Sequence, residues 1–143
     1  YLKLGIPVAI GTDGPASNNC LDMFREMFLV TALQKFREND AAAFPAFDVL
    51  KMACSGGALA MGLNDCDVLA PGKKADLAVI DLMQPNMQPV HNIAKNLVYA
   101  GTKQNVVMTV VNGKILYENG KFTTVDANEI YARAEKLTRE ICG

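Results

Sequence analysis

Asp13 is the residue whose surroundings most invite chemistry. It stands in Gly11-Thr12-Asp13-Gly14-Pro15, just past a short apolar run, Ile6-Pro7-Val8-Ala9-Ile10-Gly11, that reads as a buried strand of a parallel sheet. In α/β barrels the carboxyl ends of the strands carry the active site. The flanking glycines let the backbone turn tightly and let a ligand approach the carboxylate. A carboxylate so placed can bind a metal ion and accept a proton from metal-bound water. The same position also suits a loop cap or an Asx turn, and spacing alone favours that structural role.

Other candidates are weaker. Ser17-Asn18-Asn19 is a polar stretch that either lines a substrate pocket or caps the next helix, with Asn19 the best-placed cap. Ser17 has no histidine or lysine nearby to activate it as a nucleophile. His91, the single histidine, falls in the Pro-containing connection Gln88-Pro89-Val90-His91-Asn92 and reads as a loop residue rather than a metal ligand. Lys73-Lys74 could hold a phosphate, but a solvated turn is the simpler reading, and Met23 and Met27 read as core. Cys20, Cys54, Cys66 and Cys142 form no C-x-x-C pair, which points to reduced thiols in a cytoplasmic protein.

The elements that must position Asp13 follow from periodicity. A helix is predicted from Leu21 to Phe36, with Met23, Phe24, Met27, Phe28, Leu29, Val30, Leu33 and Phe36 on a broad apolar face and Arg25, Glu26, Lys35 and Arg37 left for solvent. Asn39 to Pro45 is a linker. Two short helices, Phe47 to Cys54 and Ala58 to Met61, are separated by Ser55-Gly56-Gly57 and closed by Gly62. From Asp65 strands dominate: Ala75 to Asp81 after the Pro71-Gly72 turn, Asn96 to Ala100, and Val106 to Val111 paired with Lys114 to Tyr117 across Asn112-Gly113. Asn119-Gly120 turns the chain into Phe122-Thr123-Thr124. A last helix starts at Asp126, with Glu129 three residues on and Ile130, Ala134, Leu137 and Ile141 at helical spacing.

Composition excludes several functions. The 143 residues are 50% hydrophobic and 20% charged, which is ordinary for a globular chain. The formal net charge of −1 provides no basic surplus for nucleic acid. No apolar run is long enough to cross a bilayer, and no signal-peptide pattern opens the chain. The chain starts Tyr1-Leu2-Lys3-Leu4-Gly5, as if in the middle of an element. One parallel-type strand with helices behind it also has no sheet of its own to join, so the first sixty or so residues read as the last β/α unit of a sheet or barrel whose other strands lie elsewhere.

Three motifs then carry a resemblance. The run Thr12-Asp13-Gly14-Pro15-Ala16-Ser17-Asn18-Asn19-Cys20-Leu21-Asp22-Met23-Phe24, the block Gly72-Lys73-Lys74-Ala75-Asp76-Leu77-Ala78-Val79-Ile80-Asp81 and the segment Gln84-Pro85-Asn86-Met87-Gln88-Pro89-Val90-His91, followed by the Val110-Val111-Asn112-Gly113-Lys114 hairpin, together resemble the amidohydrolase superfamily. More narrowly they resemble its 5-methylthioadenosine/S-adenosylhomocysteine deaminases and chlorohydrolase-like relatives. The resemblance runs essentially end to end.

It implies an α/β plus β fold: the last β/α unit of a (β/α)8 TIM barrel over residues 1–64, then the C-terminal part of a composite β-sandwich with a terminal helix over residues 65–143. It implies one divalent metal, usually zinc, with Asp13 matching the aspartate ligand on the last barrel strand and serving as proton shuttle. The implied chemistry is hydrolytic deamination: water activated by the metal loses its proton to Asp13, attacks C6 of an adenine ring, and ammonia leaves. The remaining ligands, histidines upstream, are absent, so this stretch alone is expected neither to hold the metal nor to turn over. Its implied partners are a small nucleoside and the N-terminal barrel portion of the same protein, with neither nucleic acid nor membrane. Pro15 departs from the small residue many relatives carry there. Within enzymes, guanine, another aminopurine or a triazine remains an alternative substrate. From another class, a non-catalytic module remains open, whose uncovered apolar surface would favour homo-oligomers.

Overall fold

A computed structural model describes residues 1–143, the side chain of Lys3 excepted. The predicted long helix forms as α2 (Met23–Glu38), and it starts later than expected. Asn19 does not cap it. Asn19 lies in the left-handed region (φ 60°), where it closes a one-turn helix, α1 (Pro15–Asn18), that was read as loop. The cap is Asp22, whose carboxylate accepts the Phe24 N–H at 3.0 Å. Met27 and Thr31 are buried on one side of α2, while Phe28, Leu33 and Phe36 are exposed on others. An apolar surface that runs round a helix belongs to an element covered on more than one side.

Two helices separated by glycines were expected next. Instead α3 (Ala46–Lys51), a wide π-type stretch (Met52–Gly56) and α4 (Gly57–Ala60) run on without a break. Gly56 and Gly57 keep right-handed helical angles. Gly56 has a packing role: a Cβ there would lie 2.6 Å from the Val8 carbonyl oxygen. The missing side chain lets residues 6–11 run extended along this helix, with the Ile10 N–H donating to the Met52 carbonyl at 3.4 Å. The strand expected at 6–11 therefore has no sheet ladder in this chain. It lies beside helices, with Val8 and Ile10 half-buried and Ile6 and Ala9 exposed.

The second half holds a single antiparallel sheet in the order β1 (Leu77–Ile80), β2 (Val106–Val111), β3 (Lys114–Glu118) and β4 (Lys121–Phe122). Leu77 faces Val110, Val111 faces Lys114, and Tyr117 faces Phe122, whose ring lies 5.3 Å from the Tyr117 ring. Asn112 and Gly113 both take positive φ, the geometry a tight hairpin demands. No second sheet is present among the described residues. The strand expected over Asn96 to Ala100 is a helix, α5 (Ile93–Tyr99), capped by the Asn92 side chain, which accepts the Lys95 N–H at 3.0 Å. Val98 is buried among helices there, and tertiary packing of this kind overrides the local β preference of Val and Tyr.

The main core is Met27, Ala46, Val49 and Val98, from α2, α3 and α5, with Ile10, Phe24 and Val30 packed around it. A second centre is polar. Asn105, 1% exposed, accepts from the Thr102 N–H at 2.9 Å and from the Asn86 amide at 2.8 Å, and donates back to Asn86 at 3.2 Å. Its backbone carbonyl takes the Asp81 N–H at 2.7 Å, which ties the end of β1 to this knot. Helix α6 (Ala127–Cys142) is capped as expected by Asp126, which accepts from Asn128 and Glu129 at 2.9 and 3.2 Å, and it buries no residue.

Asn105→Ala leaves the Thr102 N–H and the Asn86 amide without that acceptor and should cost about 2–4 kcal/mol in urea unfolding. Gly56→Ala should cost about 1–3 kcal/mol by displacing residues 6–11. Gly57→Ala, where a Cβ meets nothing within 4 Å, should be neutral or stabilising by up to about 1 kcal/mol in the same assay.

Candidate functional site

The backbone turns sharply where residues 6–11 leave the helices. Asp13 takes a left-handed conformation (φ 58°), uncommon for a residue with a Cβ and best tolerated by Asp and Asn. Gly14 then returns to extended angles as the N-cap of α1, with Pro15 at its first position. One Asp13 oxygen, Oδ1, accepts the Gly14 N–H at 2.7 Å. That bond runs to the very next amide, one residue short of the Asx turn that spacing favoured, and the carboxylate remains exposed.

The Ser17 hydroxyl beside the carboxyl, and then the Gly14 amide, hold Asp13 below its ordinary value of 3.8. In this conformation the Ser17 hydroxyl itself donates to the Gly14 carbonyl at 3.1 Å. Asp13 is thus an open, ionised, oxygen-donating group at the end of an extended stretch. That suits one position in the ligand set of a hard or borderline cation. No group of three or more His, Cys, Asp or Glu side chains that could hold a metal ion occurs among the described residues. Asp13 could therefore contribute one ligand to a set completed from outside this chain.

The polar stretch after Asp13 divides its roles. Asn19 ends α1 and Ser17 sits against the Gly14 carbonyl. The Asn18 amide reaches across the turn, donating to the Thr12 carbonyl at 2.6 Å and to Glu26 Oε1 at 2.8 Å. Glu26, expected on the solvent side of the helix, is half-buried and bonded back to this loop. The available hint was its place in the first turn of α2, directly after a polar loop.

The remaining candidates lie apart from one another in role. His91 is exposed in the connection leading to α5. Lys73 and Lys74 pair with Asp67 and Asp65 at 2.7 and 2.8 Å, so their charges are already matched. Met27 is core and Met23 half-buried. All four cysteines are free thiols, with burial pushing Cys54 and Cys66 up. No helix is long and apolar enough to cross a membrane.

Comparison with known proteins adds independent findings. Residues 1–116 match the amidohydrolase family. The chain is 43% identical over 135 residues to the 5-methylthioadenosine/S-adenosylhomocysteine deaminase of Pelotomaculum thermopropionicum, covering 94% of this chain and 31% of that protein. It is 47% identical over 138 residues to the enzyme of the same name from Nitratidesulfovibrio vulgaris, covering 96% and 31%. An adenosine deaminase from Xanthomonas campestris solved with bound zinc superposes with a TM-score of 0.93 at 35% identity, covering 98% of this chain and 32% of that one. Atrazine chlorohydrolase from Arthrobacter aurescens complexed with zinc superposes at 0.81 with 31% identity, covering 96% and 31%. The chain thus spans about a third of the length of the curated relatives it matches.

Ser17→Ala removes the largest influence lowering the Asp13 pKa, so that pKa should rise toward 3.8 in a carboxyl-carbon NMR titration of metal-free protein. The sign follows from linkage. A depressed folded-state value contributes stability above the unfolded pKa, and this is lost as pH falls through the folded value. The variant should therefore forfeit that contribution above the unfolded pKa, and the part of the stability profile that falls with acid should flatten relative to the parent.

Proposed function

The chain belongs to the amidohydrolase family, and from that membership we propose that it is the C-terminal portion of a metal-dependent hydrolase that removes the amino group of 5-methylthioadenosine or S-adenosylhomocysteine. In this reading residues 1–64 close a (β/α)8 barrel, with the extended stretch 6–11 as its eighth strand. Residues 65–143 supply the C-terminal part of a β-sandwich built with sheet from upstream, and the whole works in the cytoplasm. The exposed sides of α2 and of residues 6–11 are then surfaces covered by the rest of the barrel.

The observation that carries the proposal is the Asp13 carboxylate: ionised, exposed, and presented just beyond an extended segment in a chain 43–47% identical to deaminases along nearly its whole length. A divalent ion, zinc as in the solved relatives, would supply a water of lowered pKa. Asp13 would hold that ion with other ligands from upstream. The Gly14 amide bonds Oδ1, and the carboxylate as a whole is exposed and open to such an ion. Asp13 would take up a proton as the nucleophile is generated and return it to the departing ammonia. As a carboxylate it is ionised at neutral pH, with an oxygen that can accept the proton. The small-molecule substrate is a nucleoside, and its specificity resides in loops outside this chain.

In the complete protein, Asp13→Asn should strip bound zinc and cut ammonia release from S-adenosylhomocysteine by roughly 10²–10⁴-fold. Ammonia released from guanine or a triazine, with none from adenosine thioethers, would move the substrate assignment. Undiminished turnover by the variant would end the proposal.

A further inference from the structure

We infer that Asn18 is a positioning residue for the Asp13 carboxylate and that Glu26 is its anchor on α2, an inference that rests on the reading of Asp13 as a metal ligand.

The Asn18 amide nitrogen has two protons and two close acceptors on opposite sides of the loop. It donates to the Thr12 carbonyl at 2.6 Å and to Glu26 Oε1 at 2.8 Å, with the Cys20 carbonyl farther off at 3.4 Å. The Thr12 carbonyl belongs to the peptide plane whose other end is the Asp13 N–H. Holding that plane steadies the backbone immediately before Asp13, which takes a φ of 58°. The Asp13 side chain is exposed and has no packing to orient it, so its direction depends on the backbone beneath it.

Glu26 makes the clamp firm. A hydrogen bond to a carboxylate is stronger than one between neutral groups. Glu26 is also followed directly by Met27, 3% exposed in the main core. A continuous connection therefore runs from packed core to Glu26, to Asn18, to the Thr12 carbonyl and to Asp13. Groups that orient a metal ligand are generally worth 10–100-fold in metal affinity or activity, and a displacement of about 1 Å can cost about as much in rate.

The test uses the complete, zinc-loaded enzyme, with zinc affinity read by competition against a chromophoric chelator and kcat and KM read from ammonia release. Asn18→Ala should lower zinc affinity and kcat each by about 10–100-fold, with KM changed by less than about threefold. Glu26→Ala should act in the same direction and keeps α2 intact, because alanine is the best helix former; it carries the test if the Asn18 variant does not fold. Glu26→Gln retains an acceptor oxygen and should recover most of what Glu26→Ala loses. The double variant should be little worse than Asn18→Ala alone. A lower melting temperature with zinc affinity and kcat within about twofold of the parent would make the clamp merely structural and overturn the inference. Asp13→Asn, measured in parallel, separates the two readings: if it leaves zinc affinity unchanged, the metal-ligand assignment itself fails and the positioning role falls with it.

Discussion

The insertion of Val98 between α2 and α3 is the contact on which most of the arrangement depends. Val98 is 1% exposed and shares its core with Met27, Ala46 and Val49. It comes from α5, far along the chain from the helices it joins, so it binds the two halves together. Gly101, just past α5, makes the approach achievable: a Cβ there would lie 2.6 Å from the Phe24 ring. The polar knot around Asn105 holds the other side of α5, because Asn86 also donates to the Ala100 carbonyl at 2.7 Å and Asn96 to the Met87 carbonyl at 2.8 Å. A buried polar cluster so fully paired specifies one geometry, since any alternative leaves amides unbonded in a place where that is costly.

That core reaches the functional loop by two routes. Residues 6–11 lie against the π-type stretch because Gly56 admits the Val8 carbonyl, and Ile10 packs on the core cluster. Helix α2 supplies the second route through Glu26 and Asn18. The loop itself is short and exposed, so it owes its shape to these two supports and to the left-handed turns at Asp13 and Asn19. A carboxylate mounted this way combines access with a defined direction.

Much apolar surface stays open. Phe36 is 88% exposed, and α6 carries Ile130, Leu137 and Ile141, all exposed, and buries no residue. An apolar surface of this extent is unusual in a self-sufficient domain and agrees with a chain that spans about a third of its relatives' length. The sheet half is better satisfied. Antiparallel pairing and tight turns close its backbone bonds locally, whereas residues 6–11 join no ladder among the described residues.

Local chemistry made the Asp13 turn, the Asn112-Gly113 hairpin, the Asp126 cap and the run of α2 legible in the sequence, because each is decided by residues within a few positions of one another, and the family resemblance was legible from motifs along the whole chain. The Asp22 cap is likewise a local outcome, one that the choice of Asn19 missed, since Asn19 closes a turn of its own. Three features were settled by tertiary structure. Asn96 to Ala100 became helix because Val98 is buried among helices; Ser55-Gly56-Gly57 stayed helical because Val8 lies where a side chain would be. Glu26 faced inward because Asn18 meets it across the loop. These outcomes rest on contacts between residues brought together by folding, and such contacts leave little trace in local periodicity.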